Sequence, residues 1–352
     1  MPSILATSVG FPPYYYSQAF ISGELQKIWE GYGIKASRVA RLHENTTVEG
    51  RHIAVDKDAY YEMRGWEEPN AHFAEVAVEL GEEVLTRLFD EAGVGADGVG
   101  LLTFASTTGL AIPTVDARLM NRLPFRPDTK RMPLFGLGCV AGAAGTARVA
   151  DYLRGHPDEA AVLLVEEFCS LTIQKHDVSI ANLIACGLFG DAAAAVLLVG
   201  DAHPLAESGP EVVATRSVFF PDSEHYMGWE IKDSGMRVLL SADVPGAVEA
   251  DLRPQLEPFL GEHGVGVDDI GRWICHPGGP KVIEAIEASL GLNGTTLQPS
   301  RDLLRDKGNV SAASVLLILD RVLREDPPEP GTWGLMMAMG PAFCAELVLL
   351  RW

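Results

Sequence analysis

Three residues combine a reactive side-chain type with a place in the sequence where it can act. Cys139 follows the apolar run MPLFGLG and opens a stretch rich in Ala and Gly. A strand running into a helix start sets a thiol against free backbone N–H groups and the positive end of the helix dipole, and both favour the nucleophilic thiolate. The competing reading is a small buried hydrophobe, the ordinary state of a free cysteine. His276 lies in Cys275-His276-Pro277-Gly278-Gly279-Pro280, where an apolar run ends in a Pro/Gly turn. That places the imidazole at a sheet edge, where α/β folds bind ligands. Asn309, in Lys307-Gly308-Asn309-Val310-Ser311, opens the next helix, and N-capping alone would account for an Asn there. His156 also precedes a proline, but in a polar loop, and is assigned no role. GLGCVAG superficially resembles a dinucleotide-binding turn, yet G-x-G-x-x-G needs glycine where Ala141 stands.

A repeat lifts these three above their structural explanations. GVGADGVGLLTFAST from Gly93 matches GVGVDDIGRWICHPG from Gly264, an offset of 171. GCVAGAA from Gly138 matches GNVSAAS from Gly308 at an offset of 170, and FGDAAAAVLLV from Phe189 resembles MGPAFCAELVL from Met339 at an offset of 150. Three matches in one order read as a duplicated α/β unit, with halves 1–205 and 206–352 joined at GDAHPLAESGPE. Halves packed about a pseudo-twofold axis bring equivalent positions together. Cys139 and Asn309 are equivalent, and His276 follows a core strand of the second half.

The elements that must position them alternate along the chain. SILATSV, VGLLTFAS, MPLFGLG, AAVLLVEEF and AAAAVLLVG read as short buried strands. Residues 16–32 and 70–93 read as amphipathic helices, and residues 36–70 as polar loops. Strands alternating with helices predict an α/β fold. The chain has 352 residues, 47% of them hydrophobic and 22% charged, enough for a sizeable core. Asp and Glu outnumber Lys and Arg 48 to 28, and the net charge of −20 argues against nucleic-acid or anionic-membrane partners. Five cysteines without a C-x-x-C indicate neither a disulfide framework nor a zinc site. The first basic residue is Lys27, so the start lacks a signal peptide's charged region, and no apolar run is long enough to span a membrane. A cytoplasmic protein with reduced thiols is expected.

GCVAGAAG, GLFGDAAAAV, WICHPGGP, GNVSAASVLLILD and the terminal MGPAF together resemble the type III polyketide synthases, the chalcone-synthase-like enzymes, over nearly the whole chain. The resemblance implies a thiolase fold, a duplicated five-layer αβαβα unit, acting as a homodimer. It implies Cys139 as the acyl-carrying nucleophile, with His276 and Asn309 as its partners. Phe189 matches the aromatic gatekeeper between the CoA tunnel and the reaction cavity. The family's second gatekeeper phenylalanine falls on Val238, a departure that widens the passage. Thr107, Ser311 and Cys169 match cavity-lining positions, the thiol at Cys169 being similar to bacterial members. Ile112 matches the residue that reaches into the partner subunit's cavity. Arg38 and Arg41 match CoA-binding cations, a third falls on Asn45, and Lys281 adds charge at the tunnel mouth.

By this resemblance the substrates are acyl-CoA and malonyl-CoA, and no metal, nicotinamide or flavin cofactor is required. The leading expectation is a fatty-acyl starter extended by decarboxylative Claisen condensation to an alkylpyrone or alkylresorcinol. The alternatives are an initiating ketoacyl synthase that uses acyl carrier protein for one condensation, and a catalytically silent thiolase-fold binding protein.

Overall fold

The computed structural model covers residues 1–352. The chain begins with β1 (Ser3–Gly10), β2 (Tyr14–Ser17), α1 (Gln18–Trp29), α2 (Ala36–Glu44), β3 (Gly50–Ile53), α3 (Lys57–Glu62) and α4 (Glu67–Ala92). It continues through β4 (Val99–Ala105), α5 (Val115–Leu119), β5 (Lys130–Leu134), α6 (Ala141–Gly155), β6 (Ala160–Phe168), α7 (Ile180–Leu188) and β7 (Asp191–Val199). Then follow β8 (Glu211–Phe219), β9 (Met227–Lys232), β10 (Gly235–Leu240), α8 (Val244–Gly261), β11 (Ile270–Cys275) and α9 (Pro280–Leu290). The chain closes with α10 (Gln298–Lys307), α11 (Ser314–Glu325), β12 (Trp333–Gly340) and β13 (Cys344–Arg351).

The same pairing pattern occurs twice. β4 is parallel to β5 and β6, after which β7 and β1 run antiparallel. β11 is parallel to β12, after which β13 and β8 run antiparallel. The two sheets meet edge to edge at the single pair Ser3 and Glu211, which gives the overall order β11-β12-β13-β8-β1-β7-β6-β4-β5. The second half has no counterpart of β5. An offset of 171 would put one at 301–305, inside α10.

Three apolar clusters fix the layering. One joins Phe73 and Leu85 of α4 and Leu119 of α5 to Leu102, Val162 and Leu197 on one face of the first sheet. A second joins Leu256 of α8 and Ile286 of α9 to Trp273, Leu335 and Leu347 of the second sheet. Between them, Ala143 and Ala147 of α6 and Leu316 and Leu319 of α11 pack against the opposite faces of both sheets, at Leu163, Ala194, Ile274, Met336 and Val348. The result is the five-layer αβαβα thiolase fold. Strands covered on both faces read as continuous apolar runs, which is why AAVLLVEEF shows no alternation. Small residues dominate α6 because it is buried nearly all round. A Cβ on Gly142 would lie 2.2 Å from the carbonyl oxygen of Ala312, so glycine permits the close approach of the two central helices.

Two expectations are corrected. The expected helix over 16–32 starts as a strand: Tyr14–Ser17 pairs with Gly50–Ile53. The helix begins only at Gln18, capped by Ser17, whose hydroxyl accepts from the Phe20 N–H at 3.3 Å. Residues 36–70 are not mainly loop but carry α2, β3, α3 and the start of α4. α2 buries only Val39 and His43, so its composition is hard to tell from a loop's. No helix is long and apolar enough to cross a membrane.

Candidate active site

β5 ends at Leu134, and the chain then turns through Gly136 and Gly138, both with positive φ, into a short 3-10 turn at Gly138–Val140 that leads into α6. Gly138 has φ +56, and a Cβ there would lie 2.6 Å from Pro341, so only glycine fits before Cys139. The Gly138 N–H donates to Thr107 Oγ1 at 3.0 Å. Thr107 therefore secures the Cys139 turn from behind. It lines neither of the cavities described below, contrary to the position expected for it.

The second half repeats this geometry. A 3-10 turn at Ser311–Ala313 leads into α11, and Ser311 takes the unusual φ of +48. Asn309 Oδ1 accepts from the Ser311 N–H at 2.8 Å, which stabilises that turn, and Asn309 Nδ2 donates to the Gly278 carbonyl at 3.3 Å. The Asn309 backbone also bridges to Phe189, with its N–H on Leu188 O at 2.9 Å and its carbonyl accepting from Gly190 at 3.0 Å. His276 leaves β11 with its backbone N–H on Met337 O at 2.9 Å. Its ring Nδ1 is buried and has no hydrogen-bond partner.

Cys139, His276, Asn309, Ser311, Cys169, Phe189 and Val238 line one cavity. Cys139 Sγ lies 3.5 Å from Ser311 Oγ, and Ser311 donates in turn to Glu167 Oε1 at 3.3 Å. Glu167 Oε2 accepts from the Thr107 N–H at 3.1 Å. Glu167 thus ties the two turns together across the seam between halves. A second cavity, walled mostly by apolar side chains, shares Cys169, Phe189, Trp229 and Val238 with the first.

Burial governs the electrostatics. It pushes the Cys139 thiol up to about 12, against a smaller downward pull from the Ser311 hydrogen bond. It pushes His276 down to about 4 and Glu167 up to about 7 despite three hydrogen-bonding neighbours. Burial therefore works against the thiolate expected at a helix start and against its pairing with an imidazolium. Both charged forms are disfavoured, because taking a charge out of water costs more than a short helix start offsets.

The remaining sequence candidates lie outside the cavities. Ile112 is 97% exposed in the loop before α5. Arg38 and Arg41 are exposed on the face of α2 opposite Val39 and His43 and make no salt bridge. Lys281 is exposed at the start of α9, beside Val282, which lines the first cavity. Sequence reasoning missed Glu167 and Trp229. A carboxylate inside an apolar strand two residues before Cys169 was the available signal for the first, and nothing in the sequence marked the second.

A cysteine at the seam of a duplicated αβαβα fold is the architecture of the thiolase-type condensing enzymes. The family model for chalcone and stilbene synthases, N-terminal domain, matches residues 4–203, and the model for the C-terminal domain matches residues 211–352. The chain belongs to the chalcone and stilbene synthase family and is a type III polyketide synthase, a decarboxylating condensing acyltransferase. It is 46% identical over 351 residues to 1,3,6,8-tetrahydroxynaphthalene synthase of Streptomyces peucetius subsp. caesius, covering 99% of this chain and 93% of that one. It is 33% identical to a putative chalcone synthase of Bacillus subtilis (strain 168), covering 100% and 99%. The crystal structure of the tetrahydroxynaphthalene synthase of Streptomyces coelicolor A3(2), a bacterial type III polyketide synthase, superposes with a TM-score of 0.93 at 30% identity, covering 99% of each chain. The single-condensation ketoacyl synthase and the silent scaffold give way to this family.

Proposed function

We propose that Cys139 carries the growing chain and that His276 and Asn309 serve it from the other half. Burial disfavours the thiolate, so His276 takes the thiol proton as Sγ attacks the acyl-CoA carbonyl, and CoA leaves as the thiol. Malonyl-CoA then loses CO2, and the electron pair passes to an enolate whose charge rests on the thioester oxygen. N–H donors from Asn309 and His276 stabilise that oxygen in a dry cavity, where such donors are strongest. The enolate carbon attacks the acyl-Cys139 carbonyl and expels the Cys139 thiolate. Each step is acyl transfer or decarboxylation, so the route calls for no metal or redox cofactor.

The starter is a fatty acyl group, and the product an alkylpyrone or alkylresorcinol. The observation that supports this is the second, mostly apolar cavity beyond Cys169, Phe189 and Val238. Arg38, Arg41 and Lys281 hold the CoA phosphates, exposed cations being the devices an acidic protein has for an anionic substrate. Two copies associate, with Ile112 of each entering the other's cavity. The halves 1–205 and 206–352 are the units of the duplication, and the protein acts in the cytoplasm. A second reading, malonyl-CoA as both starter and extender of a naphthalene-type product, is favoured by the 46% identity to a tetrahydroxynaphthalene synthase. Mass spectrometry of products from malonyl-CoA, alone and with a panel of acyl-CoAs, decides. Alkyl-bearing products support the first reading, and a tetrahydroxynaphthalene formed from malonyl-CoA alone, with acyl-CoAs ignored, replaces it.

A further inference from the structure

The second cavity is not a plain slot for an alkyl chain. Beside Cys169, which faces both cavities, its wall carries Ser170, Tyr60 and Arg51. From this wall a chain of hydrogen bonds runs inward. Tyr60 Oη and Ser170 Oγ are 2.5 Å apart. Ser170 Oγ is bonded to Asp191 Oδ2, and the Ser170 N–H donates to Asp191 Oδ1 at 2.8 Å. The Ala54 N–H donates to Ser170 Oγ at 3.2 Å. Asp191 stands behind the wall, 1% exposed. Arg51 is also buried, and its guanidinium donates to Gln18 Oε1 and to the carbonyls of Gly187 and Cys186, with no carboxylate bonded to it.

Such a chain has a direction. Ala54 fills one acceptor position of Ser170 Oγ, which leaves that hydroxyl one donor and one acceptor to share between Tyr60 and Asp191. With Asp191 ionised, Ser170 donates to it, Tyr60 donates to Ser170, and the phenol oxygen keeps lone pairs that the backbone N–H groups of Val55 and Ala54 also face. With Asp191 protonated, the direction reverses, Ser170 donates to Tyr60, and the phenol O–H is free. In the second direction Tyr60, on the cavity wall, holds an O–H that has no partner in the chain of bonds. A buried polar group of this kind costs free energy unless something bonds to it. An unsubstituted alkyl chain would leave it unmet.

We infer that Tyr60, backed by Ser170 and Asp191, is a specificity residue that binds an oxygen atom of the acyl chain held in the second cavity. Its hydrogen-bond partner Ser170 adjoins Cys169, which lines both cavities, and this assigns Tyr60 to the part of the chain nearest the thioester. This inference rests on the reading that the second cavity takes the acyl chain. The oxygen has two sources, a hydroxyl brought by the starter or a keto group added during extension.

The test uses the full chain with Tyr60→Phe, which keeps the ring, and Ser170→Ala, which cuts the chain without touching Tyr60. In the first arm, without malonyl-CoA, intact mass follows loading of 3-hydroxydecanoyl-CoA and decanoyl-CoA. A starter-borne oxygen predicts a wild-type preference for the hydroxylated compound that falls about tenfold in both variants, the size of one hydrogen bond lost to a desolvated group. In the second arm, with malonyl-CoA and decanoyl-CoA, a chain-borne oxygen predicts an unchanged loading ratio and a shift to shorter or differently cyclised products. Unchanged ratio and unchanged products overturn the inference. So does an equal loss for both starters with unchanged products, which would make the chain of bonds structural. Should the wild type load no decanoyl-CoA, the fatty-acyl reading falls, and product length from malonyl-CoA alone in the two variants still decides the role of Tyr60.

Discussion

The two halves carry the same framework and different chemistry. Each runs a parallel strand pair into an antiparallel pair, and each sends a 3-10 turn into a central helix. The first half puts Cys139 at that turn, the second Asn309 and Ser311. The segments inserted after the first strand of each half differ more. β1 is followed by β2, α1, α2, β3 and α3, which supply Tyr16, Phe20, Arg51 and Tyr60 to the second cavity. β8 is followed by the β9–β10 hairpin, which supplies Trp229 and Val238 to both cavities. The duplicated part thus builds the seam that the proposed mechanism uses, and the unduplicated insertions build much of the second cavity's wall.

Breaking the first half's contribution should have the largest effect. Cys139→Ala is expected to abolish acyl loading, while Cys169, Cys186, Cys275 and Cys344 are dispensable for covalent capture. An acyl adduct on the Cys139→Ala protein, seen by intact mass, would remove Cys139 from its role. On the opposite side of the seam, His276→Ala or Asn309→Ala should slow malonyl-CoA decarboxylation by ~10²–10³, more than it weakens CoA binding. Wild-type decarboxylation in both variants would detach the second half from the chemistry.

The seam itself can be probed through Glu167, which belongs to the first half and bonds Ser311 of the second. Its carboxyl stands at about 7 in the fold against an ordinary 4.5. The folded state therefore holds an extra proton between those values, and its stabilising effect is present below about 4.5 and lost as pH rises through about 7. Glu167→Gln removes this titration. From acid to neutral pH the wild type should lose at most roughly 3 kcal/mol relative to the variant. His43 and His276, each pushed down to about 4, act in the opposite sense, losing stability as pH falls, but equally in both proteins. Parallel urea-unfolding profiles at about pH 5 and pH 8 would show that the carboxyl is not perturbed.

The smallest effect concerns the insertions. Val238→Phe should restrict long starters and spare short ones, because an aromatic ring in a tight apolar passage costs roughly 1–3 kcal/mol, about tenfold to a hundredfold. Val238 is 7% exposed, so a melting curve must first show a folded variant. An unchanged ratio of long-chain to short-chain turnover in that protein would mean that the hairpin does not gate the passage.

By itself, the sequence determined the duplication and the three residues at the seam. Both sheets are covered on both faces, so their strands are unbroken apolar runs, and a repeat in such runs survives as visible similarity. Cys139, His276 and Asn309 stand out because each interrupts or ends a run with a group able to do chemistry. Tertiary structure alone decided the rest. Thr107 reads as a lining residue until its hydroxyl is found on the Gly138 N–H. The α2 helix hides in a polar stretch because it buries one narrow stripe. The upward push on the Cys139 thiol and the downward push on the His276 imidazole follow from what packs around them, and the second cavity from Tyr60, Ser170, Trp229 and Val238 meeting across long separations. Burial, cavity shape and hydrogen-bond direction depend on which distant residues come within a few ångströms, and local pattern carries no record of that.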